Sequence, residues 1–143
     1  MIQLGLGAGT QTNTAGGPRP TFVVEVPIRT KTGLNSREHW GARSKRVERE
    51  RKATHLFFNR ALLAHHPLPK RPWTITLIRV SPGQRADLDN VVGGLKGIRD
   101  QVAAELGFDD GDQRAATWIY DQEKGPCGVR ISVESIVPAD CPF

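Results

Sequence analysis

Residues 85–112 read RADLDNVVGGLKGIRDQVAAELGFDDGD, and this stretch decides how the rest of the chain is interpreted. An acidic pair near its start and an acidic cluster near its end flank a segment with a helical period. At about 100° per residue, the apolar side chains share one side of the helix and the polar ones the other. The apolar stripe consists of Val91, Leu95, Ile98, Val102 and Leu106, and the polar stripe of Asp89, Gly93, Lys96 and Asp100. The pattern predicts one amphipathic helix, from Val91 to Leu106, packed on a core.

The acidic residues can be interpreted as helix caps or as ligands of a cation. Asp87 or Asp89 taken alone fits a helix N-cap, where a carboxylate is favourable. Asp109 and Asp110 follow the helix, at an end where negative charge is unfavourable unless a cation is close. A helix of about 17 residues is roughly 25 Å long. The two acidic clusters can therefore meet only if the chain folds back after Gly107, or if a second subunit contributes.

Carboxylates gathered in this way favour a divalent cation. Oxygen ligands select Mg²⁺, with Mn²⁺ as the alternative, over zinc. Such ions commonly act in phosphodiester cleavage, where they activate water and stabilise the leaving oxygen. Lys96 on the polar stripe would stabilise negative charge that develops at the phosphate.

Length, charge and cysteine content narrow the class of protein. The 143 residues predict one domain, and the net charge of +5 favours a polyanionic partner. No apolar run approaches the roughly 20 residues of a membrane span, and the N-terminus lacks a secretory signal pattern. The two cysteines show no CxxC spacing, which favours a reducing, cytoplasmic compartment.

The remaining pattern predicts an α+β fold with a single small mixed sheet and two main helices, in the order β-α-β-α-β-β. Residues 123–126 are typical of a turn, so the last two strands are expected to form a hairpin. The predicted strands are 21–28, 73–80, 114–122 and 128–137, and the first helix is 45–63. A domain from 21 to 137 is expected between a flexible arm (1–20) and a tail (138–143).

The first helix is highly charged in its N-terminal half. One interpretation is a solvated face on which Glu48 and Glu50 pair with neighbouring basic residues. The other is contact with phosphates, because basic residues outnumber acidic ones there.

Taken together, these residues resemble the RusA family of Holliday-junction resolvases. The resemblance covers about residues 21–137. It rests on Asp87-Leu88-Asp89-Asn90 after a strand, a lysine on the helix, and Asp109-Asp110 after it. Leu34-Asn35 with the downstream Trp40 is similar to the Asn-aromatic segment that follows the family's first strand.

The resemblance implies a RusA-like fold and a homodimer that cuts four-way DNA junctions with Mg²⁺. A bacterial or phage-encoded cytoplasmic protein of recombination and repair is expected. The implied catalytic residues are Asp87, Asp89, Asp110 and Lys96, and Asp109 joins the three aspartates as a metal ligand. The candidate DNA contacts are Asn35, Arg43, Lys45, Arg46, Arg49 and Arg85.

The sequence departs from the family at two places. The family's lysine stands four residues after the second aspartate, where this chain has Gly93, so its role is carried to Lys96. Gly111-Asp112-Gln113 replaces the family's small residue and glutamine after the Asp-Asp pair. Two alternatives therefore stay open: a DNA-binding protein of the same fold that has lost cleavage, and a protein-interaction domain whose acids are helix caps.

Overall fold

The computed structural model describes residues 21–31, 39–64 and 68–136. Within those ranges, four strands and three helices follow the order β-α-β-α-α-β-β. They are β1 (Thr21–Val26), α1 (Trp40–Ala64), β2 (Trp73–Ser81), α2 (Leu88–Gly94), α3 (Lys96–Leu106), β3 (Ala116–Lys124) and β4 (Gly128–Ser135). The predicted α+β class is confirmed. The predicted arm, the predicted tail and Asn35 lie outside the described residues.

The strands form one mixed sheet in the order β1-β4-β2-β3. β4 runs antiparallel to both β1 and β2, whereas β2 and β3 are parallel neighbours. Parallel neighbours need a long crossover connection, and α2 and α3 lie on it. The prediction of a single mixed sheet is confirmed.

The predicted hairpin between the last two strands is wrong, because β2 lies between β3 and β4. The short connection crosses the end of β2, where Gly125 N donates a hydrogen bond to Ser81 O at 3.2 Å. A Cβ atom at residue 125 would lie 2.9 Å from Val80 Cγ1, so glycine permits this close crossing. The turn residues thus mark a change of direction, whereas the pairing partner of each strand depends on residues far away in the sequence.

One face of the sheet carries the core. On β2, Trp73, Ile75 and Leu77 are buried and alternate with partly exposed residues, as a strand of period two requires. The same cluster includes the inward residues of β1 and β4, Phe58 of α1, Ala116 of β3 and the apolar stripe between residues 91 and 106. None of the described helices is long and apolar enough to cross a membrane.

The predicted helix after β2 is interrupted at Leu95, where the backbone has φ −101° and ψ 5°. Its hydrogen bonds nevertheless continue across the break, from Leu95 N to Val91 O at 3.0 Å and from Arg99 N to Leu95 O at 2.9 Å. The apolar stripe therefore stays on one side, and all of its five members are buried. Gly93 and Gly94 immediately precede the break, and glycine weakens a helix by roughly 1 kcal/mol relative to alanine.

α1 was predicted to have a charged, exposed N-terminal half and an apolar C-terminal half, and it matches this division only in part. Phe57, Phe58 and Leu62 in its C-terminal half contact the core. In the charged half, Glu48 pairs with Lys52, as the solvated interpretation expects. Glu50, however, is only 1% exposed.

A polar cluster joins α1 to α3 around the carboxylate of Glu105. His55 Nδ1 lies 2.6 Å from Glu105 Oε2, Asn59 Nδ2 donates to Oε1 at 2.9 Å, and Gln101 Nε2 donates to Oε2. Burial raises the pKa of the Glu105 carboxyl, but these hydrogen bonds outweigh it and hold the pKa below its usual value of 4.5. The cluster therefore fixes the two helices that lie over the sheet.

Candidate functional site

The acidic pair lies at the beginning of α2, on a backbone held by β3. Gln122 of β3 accepts a hydrogen bond from Ala86 N and donates one to Ala86 O, each at 2.8 Å. Because this clamp uses only the main chain of Ala86, it fixes the position of Asp87 without engaging its carboxylate. Asp87 occupies the N-cap position, with φ −63° and ψ 150°, but its side chain makes no capping hydrogen bond.

Asp87 and Asp89 are both exposed. Neither carboxylate has a hydrogen bond or an ion pair with the described residues. The capping interpretation requires a side-chain hydrogen bond to the first turn, which Asp87 does not make. These two carboxylates are therefore available to a ligand.

The second acidic cluster is engaged in its own turn. Gly107 ends α3 with φ 77°, a left-handed conformation that favours glycine. Asp109 Oδ1 then accepts a hydrogen bond from Gly111 N at 3.1 Å, and Asp112 Oδ1 accepts one from Arg114 N at 2.9 Å. Asp109 and Asp112 thus stabilise the loop after α3.

Arg99 of α3 places a cationic side chain beside Asp110. Its Nη2 donates to Asp110 O at 2.9 Å, and its Nε lies 3.3 Å from Asp110 Oδ2, an ion pair without hydrogen-bond geometry. Its Nη1 donates to the Tyr120 hydroxyl at 2.8 Å, and the guanidinium lies 4.8 Å from the centre of the Trp118 ring. Asp110 is therefore held by structural contacts.

The two acidic clusters lie along one face of β3 and remain apart. Trp118 Nε1 donates to Asp110 O at one end of this face, and Gln122 holds Ala86 at the other. Four residues of strand separate those contacts by roughly 13 Å, at about 3.3 Å per residue. Within the described residues, no group of three or more His, Cys, Asp or Glu side chains is placed to hold a metal ion. The structure thus places Asp87 and Asp89 on one element and Asp110 elsewhere.

Lys96 begins α3, beyond the break that follows α2. Its Nζ lies 3.3 and 3.4 Å from the carboxylate oxygens of Asp100, and its side chain is 72% exposed. The pair is the i, i+4 arrangement expected for two residues of one polar stripe. A catalytic role for Lys96 stays a prediction.

The predicted DNA contacts fall into two groups. Arg43 and Lys45 are exposed near the beginning of α1, and Arg85 is exposed two residues before Asp87. Arg46 and Arg49 line a groove of about 1130 Å³ between α1, the segment after β1 and the end of β2. Its basic lining residues are Arg29, Lys31, Arg46, Arg49 and Arg79, and these five define what we call the basic groove.

Sequence reasoning missed the residues that position the acids. Trp118, Tyr120 and Gln122 alternate in a segment that was predicted as a strand, so the period of two already places them on one face. The sequence offers no sign of what that face contacts. Arg79 was overlooked in the same way, although it continues the buried alternation of β2 with a charged residue.

Comparison with known protein families, with characterised proteins and with solved structures finds no match to this chain. The RusA resemblance therefore rests on the motif residues quoted above.

Proposed function

We propose that this protein is a metal-dependent endonuclease that resolves Holliday junctions or other branched DNA by phosphodiester hydrolysis. The observation that carries the proposal is the pair Asp87 and Asp89. Both carboxylates are exposed and have no partner among the described residues, and Gln122 of β3 holds the backbone that carries them. A basic groove lies nearby, in a chain of net charge +5.

The donor chemistry of this pair fits Mg²⁺. This ion is usually held by one or two carboxylates together with water and substrate phosphates, without an all-protein cage. Asp87 and Asp89 are the residues that would hold it. When bound, the ion would supply an activated water and charge stabilisation at the phosphate. Mn²⁺ takes the same oxygen ligands. Asp109 and Asp110 belong to the proposed site through the family resemblance alone.

The chain's own side chains would bind and orient the DNA. Arg43, Lys45 and Arg85 are exposed and can neutralise backbone phosphates, which sets the position of the duplex without reading its sequence. Lys96 is exposed, and among the described residues it pairs with Asp100 at distances long enough for it to turn towards a phosphate. A homodimer would present two such sites to the two strands of a four-way junction.

A catalytically impaired, RusA-like DNA-binding protein is the second candidate. Gly93 stands where the family has its lysine, and Lys96 lies on a separate helix and pairs with Asp100. If Lys96 cannot replace the family's lysine, junction binding would persist without cleavage.

The test is cleavage of a labelled four-way junction with Mg²⁺ or Mn²⁺. The wild type is expected to give paired nicks, and Asp89→Asn to abolish them while binding in EDTA stays within about twofold of the wild type, a small free-energy change. Asp121→Asn is the matched control, because Asp121 is also an exposed aspartate but caps only the neighbouring Gln122 N. It should cut like the wild type.

Two results would contradict the proposal, the first its activity and the second its site. Binding of the junction with no cleavage in either metal would favour the impaired protein. Cleavage that survives Asp89→Asn would remove the acidic pair from the site.

A further inference from the structure

The described lining residues of the basic groove include more basic than acidic side chains. Arg29, Arg49 and Arg79 line it together with Glu50, whose Oε2 accepts a hydrogen bond from Arg46 Nη1 at 2.8 Å. Arg29 and Arg49 are exposed at its rim. A concave surface of one charge attracts ligands of the other, so an anion is the complementary ligand.

Arg79 lies at the floor of this groove. It follows Ile75 and Leu77 on the buried face of β2, a position that would suit an apolar side chain. Its Nε atom is buried and has no hydrogen-bond partner among the described residues. A buried donor without a partner is destabilising. A bound oxyanion would pair with the guanidinium of Arg79, which lines the groove.

The floor of the groove is also connected to the acidic pair. Arg79 and Gln122 are cross-strand partners, so they share a face at a strand spacing of about 4.8 Å. Gln122 in turn holds Ala86, the residue before Asp87. An anion bound at Arg79 would therefore lie beside the segment that carries the two free carboxylates.

We propose that the basic groove binds a phosphodiester group of a nucleic-acid backbone, with Arg79 as the anchoring residue and with Arg29 and Arg49 at the rim. The bound backbone is thereby placed next to Asp87 and Asp89. That the ligand is nucleic acid rests on the proposed function. The charge, burial and position of its residues support an anion site in the groove independently of that function. Free phosphate shares the same chemistry, so the test separates the two sources.

The experiment measures binding of a fluorescent four-way junction in EDTA, so that cleavage plays no part. The groove variants are the double substitution Arg29→Gln with Arg49→Gln, and Arg79→Gln alone. The matched control is Arg60→Gln with Lys70→Gln, which removes the same charge. Arg60 lies about 20 Å further along α1 than Arg46, at 1.5 Å per residue, and both control residues are exposed.

The double groove variant is expected to weaken binding about tenfold at near-physiological salt. It should also lower the slope of log K against log salt concentration by about 1.4 to 1.8, as the loss of two phosphate contacts predicts. Arg79→Gln should weaken binding to a similar extent without lowering the melting temperature, because it removes an unsatisfied buried donor. The control should change the affinity less than about twofold.

Equal binding by the groove and control variants would overturn the proposal. A second result would also overturn it: millimolar inorganic phosphate raises the melting temperature of the wild type but not of Arg79→Gln, while all variants bind DNA equally. The groove would then be a site for free phosphate. If the groove variants bind the junction more weakly but the wild type cuts no junction, the groove is supported and the nuclease is refuted. Failure of the groove proposal can therefore be told apart from failure of the proposed function.

Discussion

The two acidic clusters of residues 85–112 look alike in sequence and differ in the folded chain. Asp87 is fixed through the backbone of its neighbour and keeps its carboxylate free. Asp110 is bound through its own carbonyl and carboxylate to Arg99. The difference shows that an acidic motif marks a possible site, whereas the hydrogen-bond partners decide which carboxylates are available to a ligand.

The cause of the difference is the position of the nearest cation. Arg99 projects from α3 towards the loop that follows the same helix, so it neutralises the acids at that end. At the other end, the neutral Gln122 binds the backbone of Ala86, and no described cation pairs with Asp87 or Asp89. Substitutions on the two sides test this contrast.

Arg99→Ala should lower the free energy of unfolding by about 2 to 3 kcal/mol, because it removes two hydrogen bonds and the contact with Trp118. Arg99→Lys should recover little of this, since an ammonium cannot reproduce the guanidinium fork. Urea denaturation gives both values. The control is Lys96→Ala, which loses only an exposed ion pair and should stay within about 0.5 kcal/mol. Equal losses at residues 96 and 99 would contradict the structural role of Arg99.

Glu105 extends the contrast to a carboxylate enclosed by partners. Because its pKa is lowered in the folded protein, its stabilising contribution is present above the unfolded value near 4.5 and is lost as the pH falls through the folded value. Urea denaturation from about pH 6 to about pH 3 should therefore show a smaller loss of stability in Glu105→Gln than in the wild type.

Glu48→Gln is the control for Glu105, because Glu48 forms only an exposed pair with Lys52. Its acid dependence should follow that of the wild type. If Glu105→Gln also follows the wild type, the hydrogen bonds to Glu105 do not favour its charged form.

The smallest changes in stability are expected for substitutions of the aspartates themselves, one from each acidic cluster. Asp110→Ala should cost up to about 1 kcal/mol, as expected for a partly exposed ion pair. Asp87→Ala should cost less than about 0.5 kcal/mol, because no capping hydrogen bond is lost. Thermal denaturation of both variants measures the difference. A loss of about 1 kcal/mol or more at Asp87 would mean that it caps α2 in solution, which is the helix-cap alternative.

Much of the fold follows from periodicity in the sequence. The alternation in residues 73–80 predicted a strand with both faces partly covered, and the stripe from Val91 to Leu106 predicted a buried helical face. Both are confirmed. These patterns are readable because burial repeats every two residues in a strand and about every 3.6 in a helix. The acids at both ends of the segment are read directly from the residue types.

The arrangement of these elements was not readable. The turn at residues 123–126 predicted a hairpin, yet the chain crosses the end of β2, and the pairing of β2 with β3 connects residues about 43 positions apart. The break at Leu95 was not predicted either, although Gly93 and Gly94 weaken the helix just before it, because the apolar stripe continues through it without a change of period.

The sequence by itself determined which residue types are present and which face of each element is buried, because both depend on neighbours along the chain. Only the tertiary structure decided that Arg99 engages Asp110, that Gln122 holds the segment before Asp87, and that Arg79 lies at the floor of the basic groove. The physical reason is that the charge and hydrogen bonding of a side chain depend on what other elements bring within a few ångströms of it, and no local pattern contains that information.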